Sequence, residues 1–339
     1  MKNYYTVGII SVILIILIIW YMQGFNSPLP SGESVSEELT TTSAASGFGS
    51  GDERKTLVTD GTSHSIPLDE ILSGGPGKDG IPSIDDPKFI SADDVDFLST
   101  EDIGLGLTID RESRFYPYKI LVWHEIVNDT VADQPVLVTY CPLCATGIVF
   151  ERRVDGEVQE FGVSGRLWQS NLLMYNRTDR EENESLWSQV LGEAVVGPNT
   201  GERLPVVRSN IVQFGDWVDR NPDTVVLSRD TGTSRDYGRD PYGGYYTSDS
   251  VSFGAEFTDD RLRPKDLVHG IEIDGDFKAY HDDALEEGIT TDEFADAEIT
   301  IRKSDIGEVS FQSDSESLSS IPGFWFSWVA VHPDTELYR

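Results

Sequence analysis

A β-rich α+β fold, predominantly antiparallel, sandwich or barrel-like and with few short helices, is what this 339-residue sequence predicts, together with one N-terminal transmembrane helix. Three observations predict it. Asp-Gly dipeptides sit between short apolar runs, a strong hairpin signal. Aromatic and β-branched residues recur in runs of four to eight, the length of strands. Long stretches of helical periodicity are missing.

The elements follow in order. Residues 1–6 read as a short cytoplasmic end, and 7–22 (VGIISVILIILIIWYM) as a membrane anchor. That stretch is uncharged and just long enough to span a bilayer. Lys2 precedes it and acidic residues follow, which orients the N-terminus inside and the body outside the cell membrane. Gln23 to Pro30 offers no small-residue cleavage pattern, so retention is expected over removal as a signal peptide. Residues 23–56 are rich in Ser, Thr, Gly and Glu and read as a flexible polar stalk. Residues 57–339 are read as one extracytoplasmic domain.

Within it, Asp155-Gly156 separates Ile148–Arg152 from Val158–Val163, and Asp274-Gly275 separates Gly270–Ile273 from Phe277–Tyr280. A third hairpin is expected between Glu298–Arg302 and Glu308–Phe311, and Ile120–Val127 and Val136–Tyr140 read as an antiparallel pair across the polar loop 128–135. Helices are expected at 91–98, 215–220 and 324–331.

The chain carries 59 Asp plus Glu against 26 Lys plus Arg, a formal charge of -33, spread along its length. Such a surface repels phosphate backbones and excludes nucleic acid as an expected partner. Only 8 of the bases are Lys, a balance suited to solubility in high salt. The acidic run at 282–287 lacks the ligand alternation and glycine of a calcium loop and reads as a solvated face.

Cys141 and Cys144 are the only cysteines, in Tyr140-Cys141-Pro142-Leu143-Cys144-Ala145. The pair admits half of a metal site, a structural disulfide or a reversible dithiol. Glycine and β-branched residues follow, which disfavours the helix that carries a thioredoxin dithiol. The local pattern instead resembles the metal-binding knuckle of rubredoxins and zinc ribbons. No second Cys pair exists, so a metal must recruit other ligands. A symmetric strand pair would set His124 opposite Thr139, on the face of Cys141. Cys141, Cys144 and His124 then form the expected site for copper or zinc, with His332 the weaker fourth ligand and no organic cofactor. Two further functions stay open. One is a surface recognition module with a Cys141/Cys144 disulfide, whose loop 235–246 offers Tyr237, Tyr242 and Tyr245 to a ligand. The other is a thiol–disulfide oxidoreductase. Asn128, Asn176 and Asn183 each open an Asn-x-Ser/Thr glycosylation pattern.

The stretches WHEIVND and YCPLCATGIVFER within 118–152, GRLWQSNLLMYNR and ESLWSQVLGEAVVGP within 162–198, and the ending FWFSWVAVHPDTELY resemble the domain-of-unknown-function 3179 family. The likeness covers most of Gly74 to Arg339. It implies that the globular region is one such domain and brings no activity with it. The acidic material around Asp282 to Ser320 departs from the likeness.

Overall fold

Residues 55–314 and 316–339 are described in the computed structural model. The expected anchor and most of the stalk lie outside them. Among the described residues no helix is long and apolar enough to cross a membrane.

The described chain is built from antiparallel sheets. The largest has seven strands in the order Leu57–Thr59, Thr62–His64, Glu193–Val196, Leu186–Ser188, Asn171–Asn176, Phe161–Trp168 and Leu72–Ser73. Asn171–Asn176 is buried at every position, so both faces of this sheet centre are covered and its strands read as continuous rather than alternating runs. A four-stranded sheet orders Val206–Val207, Thr146–Glu151, Gln134–Cys141 and Ile126–Val131. A five-stranded sheet is centred on Glu112–Pro117, and two further four-stranded sheets fill the C-terminal third. Parallel pairing is confined to the strands Val225–Leu227 with Glu112–Pro117, Asp276–His281 with Glu336–Tyr338, and one isolated bridge. The larger hydrophobic core lies around the seven-stranded sheet and takes in both cysteines together with Trp187 and Trp325.

Hairpin chemistry places its turns where the dipeptides sit. Asp274-Gly275 joins Leu267–Ile273 to Asp276–His281, and Ala297–Lys303 pairs with Val309–Ser313. At Asp155-Gly156 the turn forms, yet its ladder is only Arg153–Val154 against Glu157–Val158. The flanking strands leave for different sheets, because each finds a longer apolar partner there.

Three α-helices occur among the described residues: α1 (Tyr118–His124), α2 (Phe214–Arg220) and α3 (Trp325–Val331). The last two fall where the sequence places them. The expected helix at 91–98 shrinks to the 3-10 turn Ala92–Asp94. Helix α1 overturns the strand reading of Ile120–Val127. Pro117 fixes the entry to the helix, and Ile120, Leu121, Val122 and His124 are buried despite the β-branched residues among them. Tertiary burial here overrides a weak local preference. Glu125 ends the helix in the left-handed region at φ 60°, with its amide donating to the Leu121 carbonyl at 2.7 Å. The partner strand therefore starts at Ile126, which faces Thr139, and the turn is the two residues Ala132 and Asp133.

That change moves His124. Its Nδ1 donates to the Pro82 carbonyl at 2.7 Å, so Nε2 accepts from the Tyr237 hydroxyl at 2.7 Å. Burial lowers its pKa and holds the ring neutral. Both nitrogens are spent, and the expected Cys141–Cys144–His124 ligand set does not assemble. His332 is buried at the end of α3, stacked on Phe277 and tilted against Trp328. Among the described residues no group of three or more His, Cys, Asp or Glu side chains is placed to hold a metal ion.

Candidate functional site

The knuckle forms where two strands of the four-stranded sheet turn back on each other. Cys141 ends its strand and pairs with Thr146, which starts the next. The Cys144 amide donates to the Cys141 carbonyl at 3.2 Å, closing the turn. Ala145 then takes φ 52°, which redirects the chain into the returning strand. The Cys144 carbonyl accepts from the Phe324 amide at 2.9 Å, fastening the turn to the segment that leads into α3. Both cysteines are free thiols and fully enclosed.

A second turn meets the first. Gln169 and Ser170 join Phe161–Trp168 to Asn171–Asn176, and both hold positive φ, at 51° and 60°. Neither is glycine, and the turn tip is buried, so a strained conformation is retained inside the core. The tip delivers the Ser170 carbonyl to the sulfurs, 3.4 Å from Cys144 Sγ and 4.0 Å from Cys141 Sγ. The next residue, Asn171, donates from Nδ2 to Cys144 Sγ at 3.5 Å and to Gln189 Oε1 at 3.0 Å. Gln189 in turn accepts from the Thr146 hydroxyl at 2.8 Å and donates to the Thr139 hydroxyl at 3.0 Å. This buried network ties the knuckle strands to the seven-stranded sheet and fixes the angle at which Asn171 meets the sulfur.

The two thiols are not equivalent. Burial raises Cys141 well above its ordinary pKa, and the neighbouring Cys144 raises it further. Burial also acts against ionising Cys144, but hydrogen bonding from Cys141, Ser327 and Asn171 outweighs it and leaves this thiol below its ordinary value. Of the two, Cys144 is therefore the thiol more readily ionised, and Cys141 the one that holds its proton more firmly. The buried Ser327 hydroxyl has the Cys144 thiol as its polar neighbour.

Glu125 completes the buried group. Its side chain is only 6% exposed, and burial together with the field of Cys141 pushes its carboxyl up to about 8. Tyr242 lies against it and partly offsets that rise. The carboxyl lies within the electrostatic reach of Cys141, so the ionisation of one group disfavours that of the other. Glu125 was not singled out by its sequence. Its signal was the α1 terminus inside WHEIVND, legible only once the helix is known.

The aromatic loop covers the knuckle. Residues 228–266 hold one short 3-10 turn, Gly243–Thr247, and otherwise run irregularly. Tyr245 donates its hydroxyl to the Leu143 carbonyl at 3.0 Å, and Tyr242, Tyr245 and Tyr246 contact one another edge-on or tilted. Lys265 stands 3.2 Å above the Tyr245 ring. Tyr242 and Tyr245 are thus half-buried over the cysteines. Tyr237 departs from the expected ligand face: it is buried and bonded to His124 and Thr231. Of the expected residues, the fold gathers Cys141, Cys144, Tyr242 and Tyr245 and sends His124, His332 and Tyr237 elsewhere. Asn128 and Asn176 are also buried with their side chains engaged, which leaves Asn183 as the exposed acceptor pattern.

No curated protein and no solved structure matches the chain. A family profile described as "Protein of unknown function (DUF3179)" matches residues 78–320. The match includes the acidic stretch 282–320 that the sequence reading set apart, and it stops before the ending 324–338. It spans more than half of the sequence and encloses the knuckle, Glu125, Asn171 and the tyrosine cover, so the chain belongs to the domain-of-unknown-function 3179 family.

Proposed function

We propose that the Cys141–Cys144 knuckle is a thiol–disulfide exchange site, carried outside the cytoplasm by the apolar segment 7–22. The observation that carries the reading is the unequal surroundings of the two sulfurs, with the Asn171 amide donating to Cys144 at 3.5 Å and the Ser327 hydroxyl beside it. A thiolate is the nucleophile in disulfide exchange, and a neighbouring thiol resolves the product. Copper or zinc receives less support, since a closed zinc site takes four donors and this chain gathers two sulfurs.

The chemistry balances with the groups present. The Cys144 thiolate attacks one sulfur of a partner disulfide, forming a mixed disulfide and releasing the other sulfur as a thiolate. Glu125, protonated near neutral pH, gives that thiolate its proton. The resulting carboxylate then takes the proton of Cys141, whose sulfur attacks Cys144 and releases the second partner thiolate. The two protein thiols are oxidised by two electrons, and the partner disulfide is reduced. Access requires the tyrosine cover to lift from Leu143.

The test exposes the reduced full chain to oxidised glutathione and follows the products by mass spectrometry. The expected result is one internal disulfide and two glutathione thiols per chain. Cys141→Ser should stop at a glutathione adduct on Cys144, and Cys144→Ser should yield no internal disulfide. Thiols that stay unmodified in the folded chain while reacting in denaturant would reject the reading.

A further inference from the structure

A groove of about 340 Å³ lies between the segment after Val207 and the sheet Gly288–Phe294, Ala297–Lys303, Val309–Ser313, Glu316–Leu318. The core face of this sheet is apolar, with Phe294, Ile299, Ile301 and Phe311 buried. Side chains alternate along strands, so Arg302 points to the opposite face. There it is flanked across the ladder by Ile289 on one side and Ser310 on the other. Arg208 enters from the neighbouring segment and donates to the Ser317 hydroxyl at 3.3 Å. Both guanidinium groups are exposed, and among the described residues neither has a carboxylate partner.

The charges around them are already occupied. Glu308 lines the groove but is paired with Arg220, and Lys303 is held by Asp282 at 3.0 Å. Asp282 is shared with His269, which keeps its carboxyl low, at about 2, against the cost of burial. In a chain with 59 acidic and 26 basic residues, carboxylates are abundant enough to pair every base. Arg208 and Arg302 bring to one groove two exposed guanidinium groups that have no carboxylate partner among the described residues. A guanidinium offers planar, multiple donors, the geometry that recognises oxyanions. Ile289, 62% exposed, gives the same groove an apolar wall.

We infer that the Arg208–Arg302 groove binds a small oxyanion, a phosphate or a carboxylate, on this otherwise acidic protein. The site is separate from the cysteine knuckle and does not depend on its redox chemistry. Inorganic phosphate and succinate are titrated into the full chain at low ionic strength by calorimetry. Saturable binding of at least one probe is expected, weakened about tenfold in Arg302→Ala or Arg208→Ala and unchanged in Arg166→Ala, an exposed arginine elsewhere. The headgroup is assigned by whichever probe binds more tightly. Absence of saturable binding for both probes overturns the inference. Binding that survives the Arg208→Ala/Arg302→Ala double variant, or falls equally in Arg166→Ala, overturns it as well.

Discussion

Replacing Glu125 by Gln removes a titration that the fold perturbs strongly. The carboxyl titrates at about 8 in the folded chain, mainly because burial disfavours its charge, against 4.5 for an unperturbed glutamate. The folded state therefore binds more protons between those values. For an acid raised in this way, the stabilising contribution is complete below pH 4.5 and is lost as pH rises toward 8. The slope is about 1.4 kcal/mol per pH unit, and the whole window amounts to at most about 5 kcal/mol. Gln keeps the shape and a hydrogen-bonding group beside Tyr242 but has no charge to bury. Denaturant unfolding of both full chains at pH 5, 6, 7 and 8 reads the difference directly, since every other titrating group is common to the two. Wild type should lose several kcal/mol relative to Glu125→Gln between pH 5 and pH 8. Parallel stability curves would show that the carboxyl ionises freely in the fold, and the proton role assigned to it would fall.

Two further outcomes are expected. Tyr242→Ala with Tyr245→Ala removes the aromatic cover and the bond to Leu143, so iodoacetamide should label Cys144 at least tenfold faster in the native state; an unchanged rate by mass spectrometry would mean that access is controlled elsewhere. Gly270→Ala should destabilise the fold by about 1 to 3 kcal/mol in denaturant unfolding, because a Cβ there would sit 2.2 Å from the buried Trp328 ring; an unaltered midpoint would show that the ring has room to move.

Much of the site was legible in local sequence. The Cys-Pro-Leu-Cys turn between strands formed as read, because Cys141 to Thr146 carries its own turn chemistry in a small loop. The Asp274-Gly275 hairpin formed for the same reason, as Asp and Gly adopt positive φ at low cost. His124 shows where such reading stops. Its position hung on a register, and a single helix at 118–124 removed the register altogether. The tyrosines divided likewise: a loop without periodicity gives no indication of which rings turn inward, and Tyr237 did while Tyr242 and Tyr245 spread over the knuckle.

The sequence by itself determined the β-rich character, the turn that joins Cys141 to Cys144, and the acidic surface, all of which depend on composition or on residues within a few positions of each other. Only the tertiary structure decided what surrounds the sulfurs. Asn171 and Ser327 reach Cys144 from positions 27 and 183 residues further along, and Glu125 arrives from a helix end whose burial no local pattern announces. Contacts across such separations are set by which sheets pack together. That choice rests on the apolar area the whole chain buries, and a short motif carries too little of that area to reveal it.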